Sequence, residues 1–103
     1  MLNFGLTFKG DMSVGRTVQL AQRAERGGFT YLWMFDSHVL WREYSIMMGY
    51  LSAKTEIMRM GPCVTNPAVR ELTVAASEFA SLNIVSGGRA ICGIGRGDSS
   101  RRV

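Results

Sequence analysis

The sequence predicts an α/β fold in which four parallel strands alternate with helices. Three observations carry that expectation. Segments of strand period alternate with segments of helical period, glycine-rich turns separate them, and the strand centres recur at nearly constant intervals. With Gly5, Leu32, Met60 and Cys92 as centres, the spacings are 27, 28 and 32 residues. That is the length of a repeating strand–loop–helix–loop unit, whose crossovers are right-handed. Two architectures accommodate it, a (β/α)8 barrel and an open doubly wound sheet. A full barrel needs about 250 residues, so four strands here would make its first half, a single partial domain.

The elements follow in order. Leu2, Phe4, Leu6 and Phe8 alternate with Asn3, Gly5 and Thr7, the period of two of a first strand. Ser13 is placed to cap a helix whose apolar stripe is Val14, Val18, Ala21 and Ala24, with Gly27-Gly28 as its stop. Tyr31 to Phe35 is a continuous apolar run, suited to a parallel strand covered on both faces. Tyr44, Met47, Met48 and Leu51 then fall at helical spacing. Ile57 to Met60 forms the third strand, ending in Gly61-Pro62. A third helix carries Leu72, Ala75, Ala76, Phe79 and Ala80, closed by Ser86-Gly87-Gly88, and Arg89 to Ile94 forms the fourth strand. The sequence stops at Arg101-Arg102-Val103, where a fourth helix is due, and reads as a piece of a longer protein.

Composition narrows the function. At 47% hydrophobic and 19% charged, with two prolines, the chain has the make-up of a globular domain rather than a disordered one. The net charge of +4 is scattered except for Arg96, Arg101 and Arg102, with no basic cluster interleaved with aromatics, which argues against nucleic acid as a partner. Met1-Leu2-Asn3-Phe4-Gly5 has neither the cationic lead nor the apolar run of an export signal, and no stretch reaches membrane-spanning length. Cys63 and Cys92 lack metal-ligand spacing, and free thiols fit a reducing cytoplasm. Cys92, in mid-strand, reads as a small core residue, and the seven methionines read as core filler.

In both architectures ligands bind beyond the carboxyl ends of the strands. Those positions are polar and glycine-rich: Asp36-Ser37-His38 after the second strand, Val64-Thr65-Asn66-Pro67 after the third, and Gly95-Arg96-Gly97-Asp98-Ser99 after the fourth. Three such clusters converge on one mouth and define a candidate site. Each has a plainer alternative: Asp36, Ser37 and His38 could cap or bond a loop, and Thr65 and Asn66 could close the turn before Pro67. Gly93-Ile94-Gly95-Arg96-Gly97 is not a dinucleotide fingerprint, because the third glycine is out of place.

Gly28-Phe29, Trp33, Asp36-Ser37-His38, Gly61 to Pro67, Ser86 to Arg89 and Gly93 to Ser99 together resemble the luciferase-like monooxygenase superfamily. They are most similar to its branch of coenzyme F420-dependent oxidoreductases, the methylenetetrahydromethanopterin reductase-like enzymes. The resemblance implies the first half of a (β/α)8 TIM barrel, with coenzyme F420, or alternatively FMN, at the carboxyl mouth and a hydride moving between cofactor and a small organic substrate. It implies a bulge in the third strand with a non-prolyl cis peptide, here Cys63–Val64, behind the cofactor ring. It implies cofactor contacts from Asp36, Ser37, Cys63, Val64, Thr65, Asn66, Gly95, Arg96, Gly97 and Asp98, and catalytic roles for Asp36 and His38. Ser37 is a departure, since many F420-dependent relatives place histidine directly after the aspartate.

The leading reading is therefore F420-dependent hydride transfer, with FMN-dependent monooxygenation as the alternative; a deazaflavin reacts poorly with dioxygen. A reading of another class is a non-catalytic half-barrel. Its unpaired first and fourth strands would favour a homo-oligomer.

Overall fold

The computed structural model describes residues 1–97. Three strands and three helices alternate: β1 (Gly5–Phe8), α1 (Val14–Arg26), β2 (Tyr31–Met34), α2 (Tyr44–Lys54), β3 (Arg59–Pro62) and α3 (Leu72–Val85). The strands form one parallel sheet in the order β1-β2-β3. Tyr31 lies beside Gly5 and Arg59, and Trp33 beside Thr7 and Gly61.

The expected fourth strand is a correction. The segment after α3 runs parallel to β3 but pairs with it only at two isolated points, Met60 with Ala90 and Thr65 with Ile94. Four residues lie between Met60 and Thr65 and three between Ala90 and Ile94, so the β3 side carries one extra residue, a bulge. The ladder breaks there for chemical reasons. Pro62 has no N–H to donate, and the Cys63–Val64 peptide is cis. The backbones also approach closely: a Cβ on Gly61 would run into the Ile91 carbonyl, and one on Gly93 into the Pro62 carbonyl.

The core lies between the sheet and the helices. Phe8, Leu32, Met34 and Met60 point from the strands toward Ala21 and Ala24 of α1, Tyr44, Met47, Met48 and Leu51 of α2, and Leu82 of α3. Five methionines (34, 47, 48, 58 and 60) are buried in it, as core filler would be. The opposite face of β2 carries Tyr31 and Trp33, half-buried and stacked with centroids 6.0 Å apart.

Helix α1 begins where expected: Ser13 accepts the Arg16 N–H at 3.1 Å. It ends through Gly28, whose φ of 90° is open to glycine at little cost. Its buried stripe is Thr17, Ala21 and Ala24, whereas Val14 is exposed; the Thr17 hydroxyl is satisfied by the Ser13 carbonyl at 2.9 Å. The four residues expected to line α2 are all buried. In α3 the inward face is instead Ala75, Glu78, Phe79 and Leu82, while Leu72, Ala76 and Ala80 are exposed. Cys92 is exposed rather than in the core, because no helix among the described residues covers its segment. Among those residues no helix is long and apolar enough to cross a membrane.

Candidate functional site at the carboxyl ends of the strands

Parallel pairing brings the ends of β2 and β3 and the segment after α3 to the same edge of the sheet. Two residues past β2, Asp36 is buried, its side chain 1% exposed. The Thr65 hydroxyl donates to Asp36 Oδ2 at 2.7 Å, and Arg70 Nη1 donates to the same oxygen. Among the described residues Asp36 Oδ1 has no hydrogen-bond partner. Leaving a buried polar atom bare costs about 1–3 kcal/mol, and more for a charged one, so this oxygen is the site's most informative feature.

Arg70 was not among the residues singled out from sequence. It follows the turn after Pro67 and immediately precedes Glu71, the N-cap of α3. Its guanidinium reaches Asp36 and, through Nη2, Glu43; Nε stands 3.0 Å from Glu78 Oε1, an ion pair not aligned for a hydrogen bond. The Tyr44 ring lies 4.9 Å from the guanidinium carbon. Burial disfavours the Arg70 charge, but Asp36, Glu78 and Glu43 outweigh it and hold its pKa above the ordinary value.

Glu43 caps α2, accepting from Ser45 Oγ at 2.5 Å and Ile46 N–H at 3.0 Å. Burial raises its pKa; those two donors and Arg70 together lower it further, leaving it below the usual glutamate value. For Tyr44, burial and the charge of Glu78 push the phenol pKa up.

The loops after β3 and after α3 lie against each other. Gly95 meets Val64, with only 3.1 Å to the valine Cγ2 from where its Cβ would stand. Gly97, at φ +66°, comes so near Asn66 that a Cβ would stand 2.6 Å from Nδ2. Asn66 is buried and its Oδ1 accepts the Ala68 N–H at 2.9 Å, so it does close the turn around Pro67. Asn66, Pro67, Ala68, Gly95 and Arg96 line a cleft of about 300 Å³.

Of the residues expected at the mouth, Asp36 and Thr65 are thus joined directly, Val64 meets Gly95, and Asn66 meets Gly97 and flanks Arg96. Ser37 is buried, its carbonyl accepting the N–H groups of Leu40 and Trp41. His38 is exposed on that turn, and no hydrogen bond joins it to Asp36 among the described residues. Cys63 is exposed. Asp98 lies outside the described residues.

The fold and site define a parallel β/α unit with polar groups gathered at the strands' carboxyl ends, the arrangement of barrel enzymes. Residues 3–102 match the luciferase-like monooxygenase family, and the chain belongs to it. It is 38% identical over 97 residues to the 5,10-methylenetetrahydromethanopterin reductase of Archaeoglobus fulgidus, covering 94% of this chain and 29% of that protein. It superposes on the coenzyme F420-dependent tetrahydromethanopterin reductase of Methanopyrus kandleri with a TM-score of 0.91 and 33% identity, over 96% of this chain and 28% of the other. The FMN complex of the oxygenating constituent of 3,6-diketocamphane monooxygenase from Pseudomonas putida shares the fold at TM-score 0.80 and 16% identity, covering 95% of this chain and 30% of its own. The chain therefore spans under a third of these relatives.

Proposed function

We propose that this chain carries part of the cofactor site of a coenzyme F420-dependent oxidoreductase acting on a small organic substrate. The observation that carries the reading is the bare, buried Asp36 Oδ1 at the end of β2, an acceptor waiting for a donor. The residues present suit a flat ring system with a polar edge. Asp36 supplies an acceptor, while Gly95 and Gly97 let the loop after α3 close against Val64 and Asn66 at the mouth. When bound, the deazaflavin would accept or deliver a hydride. Thr65 and Asp36 would orient its polar edge, and His38, exposed two residues after Asp36, would be the group to exchange a proton with solvent or substrate. Asn66 and Arg96, flanking the cleft beside Gly95, would hold polar groups of the cofactor's side chain. Similarity to F420-dependent relatives over nearly the whole chain favours this cofactor over FMN.

Anaerobic titration of the purified chain with F420 and with FMN, followed by fluorescence, tests the reading. Saturable F420 binding is expected, weakened by about tenfold or more in Asp36→Ala and Asn66→Ala, the value of one or two lost hydrogen bonds. Preference for FMN would favour the monooxygenase alternative. A folded chain that binds neither would contradict a site in this segment.

A second reading rests on a different surface. Between α2 and α3 runs a groove of about 420 Å³ lined by Ile46, Gly49, Val74, Ser77, Leu82 and Val85. Ile46, Val74 and Val85 are exposed there, which supports self-association through these helices. Sedimentation equilibrium of the chain and of Ile46→Glu would separate a dimer that the charge dissociates from a monomer that it leaves unchanged.

A further inference from the structure

Arg70 stands where four elements meet: the end of β2, the N-terminus of α2, the turn before α3, and α3 itself. A guanidinium is a planar fork whose donors point in fixed directions. Here each of its three nitrogens stands beside a different carboxylate: Nη1 and Nη2 donate to Asp36 and Glu43, and Nε is ion-paired with Glu78. Glu43 and Glu78 come from helices that are packed and, for α2, capped by Glu43 itself, so they fix the plane of the fork from outside the mouth. The Tyr44 ring supports it from one side. The side chain is only 12% exposed, so the fork has little freedom to leave these partners.

The third direction meets Asp36 Oδ2, where the Thr65 hydroxyl also donates. Both donors thus use one oxygen, and among the described residues nothing donates to Oδ1 although the side chain is buried.

We propose that Arg70 is a positioning residue: braced by Glu43 and Glu78, it holds Asp36 by Oδ2 and so keeps Oδ1 as the free acceptor for a hydrogen-bond donor on the bound cofactor ring. The identity of the ligand rests on the F420 reading above, but the positioning is a property of the ligand-free chain. Lysine, a point charge without the fork, would keep the charge and lose the orientation.

Two measurements test it. In the ligand-free chain, three-bond couplings report the Asp36 χ1 rotamer, which sets where the carboxylate stands. One rotamer is expected in the unaltered chain and averaging in Arg70→Gln, with Arg70→Lys averaging too if the glutamine variant fails to fold. A single unchanged rotamer in the folded variants, or averaging in the unaltered chain, overturns the proposal. The second measurement is a double-mutant cycle on F420 affinity. Arg70→Gln should weaken binding about tenfold or more with Asp36 present but less than about twofold in an Asp36→Asn background, because it acts through that carboxylate. Equal losses in both backgrounds would overturn it, since a merely structural role is additive. If the unaltered chain binds no F420 while the rotamer result holds, the cofactor reading falls and the positioning stands.

Discussion

Gly61 and Gly49 have the same side chain and opposite environments. At Gly61 a methyl group would collide with the Ile91 carbonyl, part of a backbone fixed by the Ile91 N–H to Met60 carbonyl bond at 2.8 Å. Gly61→Ala should therefore lower stability by about 1–3 kcal/mol. Gly49, inside α2, has nothing within 4 Å of where its Cβ would stand, so Gly49→Ala should raise stability by about 0.5–1 kcal/mol through helix propensity. Urea denaturation midpoints would check both signs. At this scale the sequence showed part of the site. Asp36, Thr65 and Asn66 stood out because polar residues directly after apolar strands are conspicuous. Arg70 did not, because a lone arginine in a turn looks like any solvated charge until its three carboxylates, on β2, α2 and α3, are brought round it.

Helical spacing gave the buried stripe of α2 correctly as Tyr44, Met47, Met48 and Leu51, although Ile46 and Tyr50 of the same helix are apolar and exposed. Helix α3 mixes apolar and small residues on every side, so its pattern gave a helix but only part of its inward face: Ala75 and Phe79 turn inward, whereas Leu72, Ala76 and Ala80 are exposed. The fourth strand failed for a local reason, since pairing with β3 is broken at Pro62 and the following bulge. One joint between elements responds to acid. Glu25 of α1 accepts the N–H groups of Glu56, Ile57 and Met58, capping the approach to β3. Partial burial raises its pKa, but the N–H groups of Ile57, Glu56 and Met58 and the charge of Arg89 outweigh that, so it lies below the ordinary 4.5. Glu43 is depressed likewise. A carboxylate with a depressed folded-state pKa adds stability above its unfolded value and loses it as pH falls through the folded one. The chain should therefore lose stability as pH drops below about 4.5, and Glu25→Gln should be less stable at pH 7 with a flatter acid limb. Thermal melts from pH 3 to pH 7 would show this; an unchanged pH profile in the variant would contradict it.

Taken as a whole, the chain presents one edge of a parallel sheet at which groups from β2, β3 and the segment after α3 converge. The spacing of strand centres was enough to anticipate this, because crossover length is set by the helix that must return the chain to the same side of the sheet. The choice between a closed barrel and an open sheet was not written in that spacing. It came from the order of the motifs and agrees with the family match over residues 3–102. The central claim is that the mouth built by these elements is a cofactor site. It is tested most directly by assigning the amide resonances of the isotopically labelled chain and mapping the shifts produced by F420 under anaerobic conditions. The account predicts saturable shifts concentrated at residues 36–38, 63–66 and 95–97, with Arg70 among the responding residues. Shifts confined to the groove between α2 and α3, or no saturable shifts in a folded chain, would contradict it.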